Sequence, residues 1–459
     1  MPKTLSRRSF LQVVGGGASA VALASCVLPM PAGRQPASEI ESEVQAISAR
    51  QGEVHVRRSL ASPNNDLETY REAVKRMKSL PSRDRRNWLN QANIHKDYCP
   101  HGNWYFLPWH SAYVYFLEDI CRELTGNESF ALPYWNWTLR PKFPEPFLHG
   151  TLNDDTRFRT NNIPKRITGP DVVYPILTSP RFTTFSNRLE SGPHNGVHSY
   201  IGGHMGRIPL AAQDPIFWMH HNMVENCWSD WLSRGHTNTS DPRWLNHHFD
   251  NQFVDRYGNL IPRLTVGDIL NNIRPQYRYD AKVNGQPYTS SDLEIQPVEI
   301  VYNTYKQVES IEPVELAVNQ PVIKRIELDT NELKSVLTDI ENQNHLVELT
   351  LVGVNNPIGN NVYIEVALNH ENEIREIALD EPHFVGTLSF FMDPNHMEHA
   401  GDYVFDITDE IRELYAQNPP LDLVDIDIQF TARLHHEDEN AQNQTVTINS
   451  LKVEFHEPT

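Results

Sequence analysis

The chain has 459 residues, a formal net charge of −19, and 22% charged against 10% aromatic residues. That length accommodates two or three domains with a substantial core, and the acidic balance argues against nucleic acid or an anionic membrane surface as a partner. Four cysteines (Cys26, Cys99, Cys121 and Cys227) are too few for a disulfide scaffold.

At the start, Ser6-Arg7-Arg8-Ser9-Phe10-Leu11 leads into a weakly apolar run from Val13 to Ala24. The run is too short to span a bilayer and has the size of an export-signal apolar region. The paired arginines resemble a twin-arginine signal, the route bacteria use to export folded proteins. Leu23-Ala24-Ser25-Cys26 resembles a lipobox with Cys26 as the acylated residue. Cleavage after Ala24 to give a soluble product is the alternative, and lipid attachment is preferred. Residues 1–26 are thus expected to be a signal, and 27–45, with three prolines, a tether. The expected location is outside the bacterial cytoplasm: periplasmic, anchored to a membrane through Cys26 alone, or secreted.

Residues 46–295 read as a mainly helical domain. Leu67–Met77 has apolar residues at helical spacing, and the prolines and charges after it end that helix. Leu107–Leu124 reads as an aromatic helix buried nearly all round, with His110 in its first turn after Pro108. His101 lies nine residues earlier and His95 six before that, in an expected loop. Downstream, His194 and His198 stand four apart, so one helix face carries both. Asp214-Pro215 then precedes a second helical run ending in His220-His221. Two clusters of three imidazoles, each flanked by aromatics, point to a four-helix core around a metal pair. Neutral imidazole suits copper, zinc, iron or nickel, and a zinc hydrolase would more often include a carboxylate ligand. No HExxH, GxSxG, GxGxxG or Walker pattern offers a competing chemistry.

The run QANIH…C-x-H…FLPWH resembles the copper A signature of the type-3 copper family of tyrosinases, catechol oxidases and haemocyanins. PHN-x-VH…GG…DPIFW-x-HH resembles its copper B signature, and together the two cover most of residues 50–280. The resemblance implies that His95, His101 and His110 hold one copper, and His194, His198 and His221 the other. It leaves His220 to packing and His204 to a loop. It implies a thioether between Cys99 and His101, and a Tyr277-Arg278-Tyr279 element paired with an arginine such as Arg57. Glu190 falls where relatives carry a glutamate that orders a water, Asn195 where an asparagine accompanies monophenol activity, and Ile208 at the gate position. Ser111 and Glu225 depart from the pattern, standing where relatives carry arginine and aspartate. Cys121 and Cys227 read as inert buried thiols. The implied activity is O2-dependent ortho-hydroxylation of monophenols and oxidation of o-diphenols to o-quinones. A phenol with a pKa near ~10 must first lose its proton, and a water polarised by Glu190 and Asn195 is the expected base.

After an expected linker at 296–317 the pattern changes to short β-type runs. These are Val322–Leu328, His345–Val354, Asn361–Leu368, His383–Met392, Asp402–Ile407, Leu423–Leu434 and Thr445–Phe455. Seven such runs separated by Asn, Asp, Gly and Pro argue for a β-sandwich over 318–459, with at most a short helix at Asp409–Leu414. The order of the runs resembles the C-terminal domain of plant polyphenol oxidases, which lies over the copper site and keeps the enzyme latent. Phe390, Phe391 or Met392 could then plug the entrance; a sandwich that only stabilises or binds a partner is the alternative. His396 and His399 read as a solvated loop rather than a copper relay. The chain as a whole is expected to be an α + β multidomain protein: an exported binuclear copper oxidase taking small phenols and O2. Alternatives are a catechol or o-aminophenol oxidase without monophenol activity, and a haemocyanin-like O2 carrier.

Overall fold

The protein is represented by a computed structural model that describes residues 54–289, 292, 301–327, 345–369, 383–391, 401–411, 425–435 and 440–458. The signal, the tether, Met392, His396 and His399 lie outside the described residues. Among the described residues no helix is long and apolar enough to cross a membrane.

Among the described residues, the helical unit is built around four long helices. Helix α1 (Asp66–Ser79) buries Tyr70, Ala73, Val74 and Met77, and so presents one apolar stripe to its neighbours. Helix α2 (Trp88–Tyr98) starts where the Asn87 side chain accepts the Leu89 N–H, and buries Trp88, Gln91, Ala92 and His95. Positions 88, 91, 92 and 95 share one helix face, so His95 stands on a helix rather than in the expected loop. Helix α3 (Phe106–Thr125) is buried on nearly every face and stops at Gly126, whose φ of 72° fits a left-handed cap.

A second correction concerns His194. Helix α4 (Phe182–Leu189) runs into a π-turn, Glu190–His194, before α5 (Asn195–Ile201) begins. Pro193 lies within that turn and lacks the N–H an α-helical ladder needs there, so the winding widens locally. His194 and His198 therefore straddle a junction, yet their rings still converge to 4.6 Å between centroids. Helix α6 (Ile216–Ser233), also buried almost throughout, carries His220 and His221.

The two ends of the helical unit are tied together. Strand β1 (His55–Arg57) pairs in parallel with β2 (Tyr277–Tyr279), Arg57 lying opposite Tyr279. The fully buried Arg57 donates to Glu118 at 2.8 Å and to the Tyr279 hydroxyl at 3.1 Å, and its guanidinium lies 3.5 Å from the Tyr277 ring centroid. Burial opposes ionisation of Glu118, yet Arg57 and Arg122 hold its pKa down to about 2. The expected pairing of Arg57 with the Tyr-x-Tyr element is present.

The β unit is a sandwich. One sheet orders β8 (Phe384–Ser389), β7 (Val362–Leu368), β10 (Asp425–Leu434) and β5 (Val322–Glu327). The other orders β9 (Gly401–Asp406), β6 (Leu346–Asn355), β11 (Thr445–Pro458) and β3 (Tyr302–Ser310), with β4 (Val314–Ala317) also on β11. All seven expected strands form, and residues 408–411 are helical. Strands β3 and β4 occupy the stretch expected to be a linker. The alternation of β3 is weak because its exposed edge positions carry mostly polar residues and few of its side chains are apolar, while Val314 and Leu316 of β4 go fully into the core.

The two units meet through ion pairs of one polarity. Arg166, Arg181 and Arg188 on the helical side face Glu365 at 2.5 Å, Glu348 at 2.8 Å and Asp406 at 3.9 Å on the sandwich. Side chains of α5 also grip the end of β8 and the residue after it: Asn195 Nδ2 donates to the Ser389 carbonyl at 3.0 Å and Ser199 Oγ to the Phe390 carbonyl at 2.5 Å.

Candidate metal centre

His95 from α2, His101 from the following loop and His110 from α3 bring one ring nitrogen each to within 4.8 Å of one another, and so do His194, His198, His220 and His221. The clusters adjoin: the His110 and His221 rings stack at 4.4 Å, and His101 and His194 lie 5.7 Å apart. Burial pushes the pKa values of His95 and His194 down to about 3, so these rings are neutral.

Hydrogen-bond partners then decide where the single proton of each neutral ring resides. His95 Nδ1 meets the Ile208 carbonyl at 2.9 Å, His110 Nδ1 the Phe106 carbonyl at 2.8 Å, and His198 Nδ1 the Met205 carbonyl at 2.7 Å. A carbonyl can only accept, so Nδ1 is the protonated nitrogen and Nε2 carries the lone pair. His194 Nδ1 faces Asn195 Oδ1 at 2.9 Å with the same consequence. The Nε2 atoms of His95, His101, His110 and His194 are buried without a hydrogen-bond partner. His198 Nε2 and His221 Nε2 face each other at 3.3 Å. Converging lone pairs in a dry core are unfavourable unless a cation lies among them. The donor set fits metal ions, and it is imidazole throughout.

Around this core the other expected residues find places. Cys99 Sγ lies 3.3 Å from His101 Nδ1, close by as the expected thioether requires; it is a free thiol here, and burial pushes its pKa well up. Glu190 opens the π-turn, accepts the Gly102 N–H at 2.6 Å, and is pushed by burial up to about 8. Asn195 is engaged at both ends, by His194 and by the Ser389 carbonyl, so it and Glu190 share no hydrogen bond. Ile208 reaches the site through its carbonyl on His95, while its side chain packs half-buried against the helical core. Glu225 makes no hydrogen bond to the imidazoles. It accepts from Tyr277 Oη at 2.7 Å and pairs with Arg274, and Tyr277 in turn meets Ser111 at 2.8 Å. The two departures from the family pattern are thus joined through one tyrosine. His204 pairs with Asp154 in a loop, and Cys121 and Cys227 are buried free thiols.

Of the two candidate plugs among the described residues, Phe391 is the one at the metal centre. Its ring lies 5.4 Å from His101 and 5.9 Å from His194, and it packs into the helical core while Phe390 packs into the sandwich. The carbonyls of Phe106, Met205 and Ile208 carry no side-chain signature in the sequence. Trp137, whose indole N–H donates to His220 Nδ1 at 3.2 Å, was equally invisible.

Residues 73–170 and 149–234 match the family model described as the common central domain of tyrosinase. Polyphenol oxidase A1 of Vicia faba is 30% identical over 278 residues, 47% of this chain and 45% of that protein. Polyphenol oxidase A of Solanum lycopersicum is 26% identical over 417 residues, covering 72% and 62%, and tyrosinase HcTyr1 of Hahella sp. is 27% identical over 278 residues, covering 45% and 59%. The chain thus spans about half the length of the curated relatives it matches. A solved latent aurone synthase shares the fold of both units, with a TM-score of 0.67 at 20% identity over 89% of this chain and 90% of that one. Two copper ions with O2 are the cofactor set of this family, and the two imidazole clusters fit that pair. Over residues 73–234 the chain is thus similar to the common central domain of tyrosinase.

Proposed function

We propose that this protein is an exported phenol oxidase whose copper site is closed by its own sandwich. The carrying observation is the set of buried, unpartnered Nε2 lone pairs in two adjoining clusters. His95, His101 and His110 would hold one copper, and His194, His198 and His221 the other. When bound, the copper pair supplies electron exchange between dioxygen and the phenol.

The protein's side chains then do three things. The flat face of His198 offers a parallel stacking surface for a substrate ring, the place Phe391 now takes. Glu190, which burial pushes up to about 8, accepts the phenol proton through a water in its ionised form, which gains population as pH rises toward that value. Asn195 orients His194 through Oδ1, and its Nδ2 becomes available to that water only once the Ser389 carbonyl withdraws. Closure therefore removes both the ring site and one donor of the base. Activity on monophenols as well as diphenols follows from this pair; the choice between tyrosinase and catechol oxidase lies there rather than at the metal.

A haemocyanin-like O2 carrier is the second reading, favoured by the Phe391 cover, since a diatomic gas passes where a phenol does not. Assays of the copper-loaded chain on tyrosine, a catechol and an o-aminophenol, with and without Phe391→Ala, separate these readings. Quinone formation from tyrosine supports the tyrosinase; turnover of the catechol or aminophenol alone moves the assignment to that oxidase. No turnover by either form, with reversible O2 uptake, leaves the carrier.

Export through residues 1–26, with lipid at Cys26, completes the proposal. Mass spectrometry of the mature N-terminus in a twin-arginine-competent bacterium tests it. A diacylglyceryl Cys26 supports the anchor, and an intact Met1 with cytoplasmic retention sinks it.

A further inference from the structure

One loop supports both imidazole clusters. The segment after α5 gives its Met205 carbonyl to His198 of the second cluster at 2.7 Å and its Ile208 carbonyl to His95 of the first at 2.9 Å. His110 and His194 are served separately, by the Phe106 carbonyl within α3 and by Asn195. Residues 202–210 lie outside any helix or strand, so the direction of the two carbonyls depends on what holds the loop. A neighbouring strap, residues 154–159, holds it. Asp154 Oδ2 accepts the His204 Nδ1–H at 2.7 Å, and the Thr156 hydroxyl oxygen accepts the His204 backbone N–H at 2.8 Å. Asp154 Oδ1 in turn accepts the Thr156 N–H at 2.9 Å and its hydroxyl at 2.5 Å, so carboxylate and hydroxyl face His204 as one unit. Strap and loop approach closely: Gly203 has a φ of 62°, and a Cβ there would run into the Thr156 carbonyl oxygen. The strap is itself anchored, since the buried Arg157 forks onto Asp214 at 2.6 and 2.8 Å, just ahead of α6.

We propose that Asp154, Thr156 and His204 are positioning residues, a brace that aims the Met205 and Ile208 carbonyls and so fixes the tautomer of one histidine in each cluster. A ring whose Nδ1–H is held by a carbonyl keeps its Nε2 lone pair pointed at the metal position. Because His95 and His198 hang on the same loop, loosening the brace frees both at once. The backbone bond from the Phe158 N–H to the Ile201 carbonyl, at 2.8 Å, does not involve these side chains and keeps the strap in place when they are changed. This inference rests on the copper reading above, and its first test needs no copper.

Nitrogen-15 magnetic resonance of the copper-free chain reads the tautomer of each neutral imidazole. The double variant His204→Ala with Thr156→Val removes both side-chain ties to the loop. His95 and His198 should pass from one tautomer, protonated at Nδ1, to a mixture, while His110 keeps its form through Phe106. Asp154→Asn leaves an oxygen for Thr156 and turns an amide N–H toward His204 Nδ1, which can accept it in the other tautomer, so this variant should behave as the parent. The copper-loaded double variant, challenged with EDTA and then separated from it, should release copper at least ~10-fold faster than the parent. Both ions should leave together, so the isolated copper(II) signal in electron paramagnetic resonance should not build up. Unchanged tautomers with parent-like release overturn the proposal. A change in only one of the two rings, or a growing isolated copper(II) signal, overturns it by showing that the clusters are supported separately. A matching change in His110 overturns it as well, by marking a general loosening of the fold. A parent chain that binds no copper would refute the copper reading itself, and the tautomers would still decide the brace.

Discussion

The Phe391 ring lies parallel to the His198 imidazole, 4.0 Å between centroids and 13° between planes. An aromatic ring from the sandwich thus occupies the imidazole face proposed above for the substrate ring, and the two cannot be present together. Phe391→Ala removes the ring while leaving the hydrogen bonds to the Ser389 and Phe390 carbonyls in place. The expected result is at least a ~10-fold rise in diphenol oxidation at unchanged copper content, read as quinone absorbance; each tenfold corresponds to ~1.4 kcal/mol of lost closure. An unchanged rate would show that Phe391 does not limit access.

Glu190 offers a way to separate the two phenol chemistries. Glu190→Gln keeps the shape and the Gly102 contact but cannot take up a proton. Monophenol turnover in the Phe391→Ala background should fall by ~10²-fold, the usual size of a general-base contribution, while diphenol turnover stays within about threefold. Equal losses on both substrates would remove Glu190 from the proton path.

The contact between the units should respond to a single charge. Glu348 receives Arg181 at 2.8 Å, the Thr184 hydroxyl and His456 at 3.1 Å, all within one largely buried knot. Glu348→Gln gives up the charge-assisted part of these bonds, worth ~2 kcal/mol before solvent screening of the partly exposed arginine. The open population, and with it the diphenol rate, should rise by up to ~30-fold, and raised salt should narrow the gap to the parent. A variant with parent-like latency at low salt would show that this knot does not hold the units together.

Acid should destabilise the copper-free chain. Burial lowers the pKa values of His95 and His194 from an ordinary 6.5 to about 3, so the unfolded chain binds more protons below 6.5. Their contribution is full above that value and is lost as pH falls toward 3, at ~1.4 kcal/mol per pH unit for each ring. Melting temperatures of the copper-free protein should drop steadily from pH 6.5 to pH 5. A flat profile would mean that these imidazoles are hydrated in solution.

Much of the site was legible because chemistry dictates residue type. Six imidazoles at fixed spacings, the Cys99-x-His101 pair and the Arg57 clasp all carry side-chain signatures. His95 was misplaced because Asn87, the cap that starts its helix, lies among charged residues that read as a loop. His194 was placed on a regular helix because the weight of Pro193 in a wide turn depends on its neighbours. Strands β3 and β4 were missed because an edge strand needs only alternate apolar residues, and β3 has few. The carbonyls that set each ring's tautomer come from Phe106, Met205 and Ile208, residues whose side chains say nothing of that role. Phe391 could not be told from Phe390 because adjacent residues leaving a strand point into different cores.

The pairing of His55–Arg57 with Tyr277–Tyr279 joins positions 222 residues apart at Arg57 and Tyr279. Neither strand has another partner in its sheet, so the ribbon can exist only once the intervening helices have collapsed and Tyr279 has been synthesised. The unit is therefore sealed late and all at once, and its first described residues are as indispensable as its last. Trimming that reaches Arg57 should be ruinous to folding, because Glu118 would then keep its buried charge with one of its two guanidiniums gone.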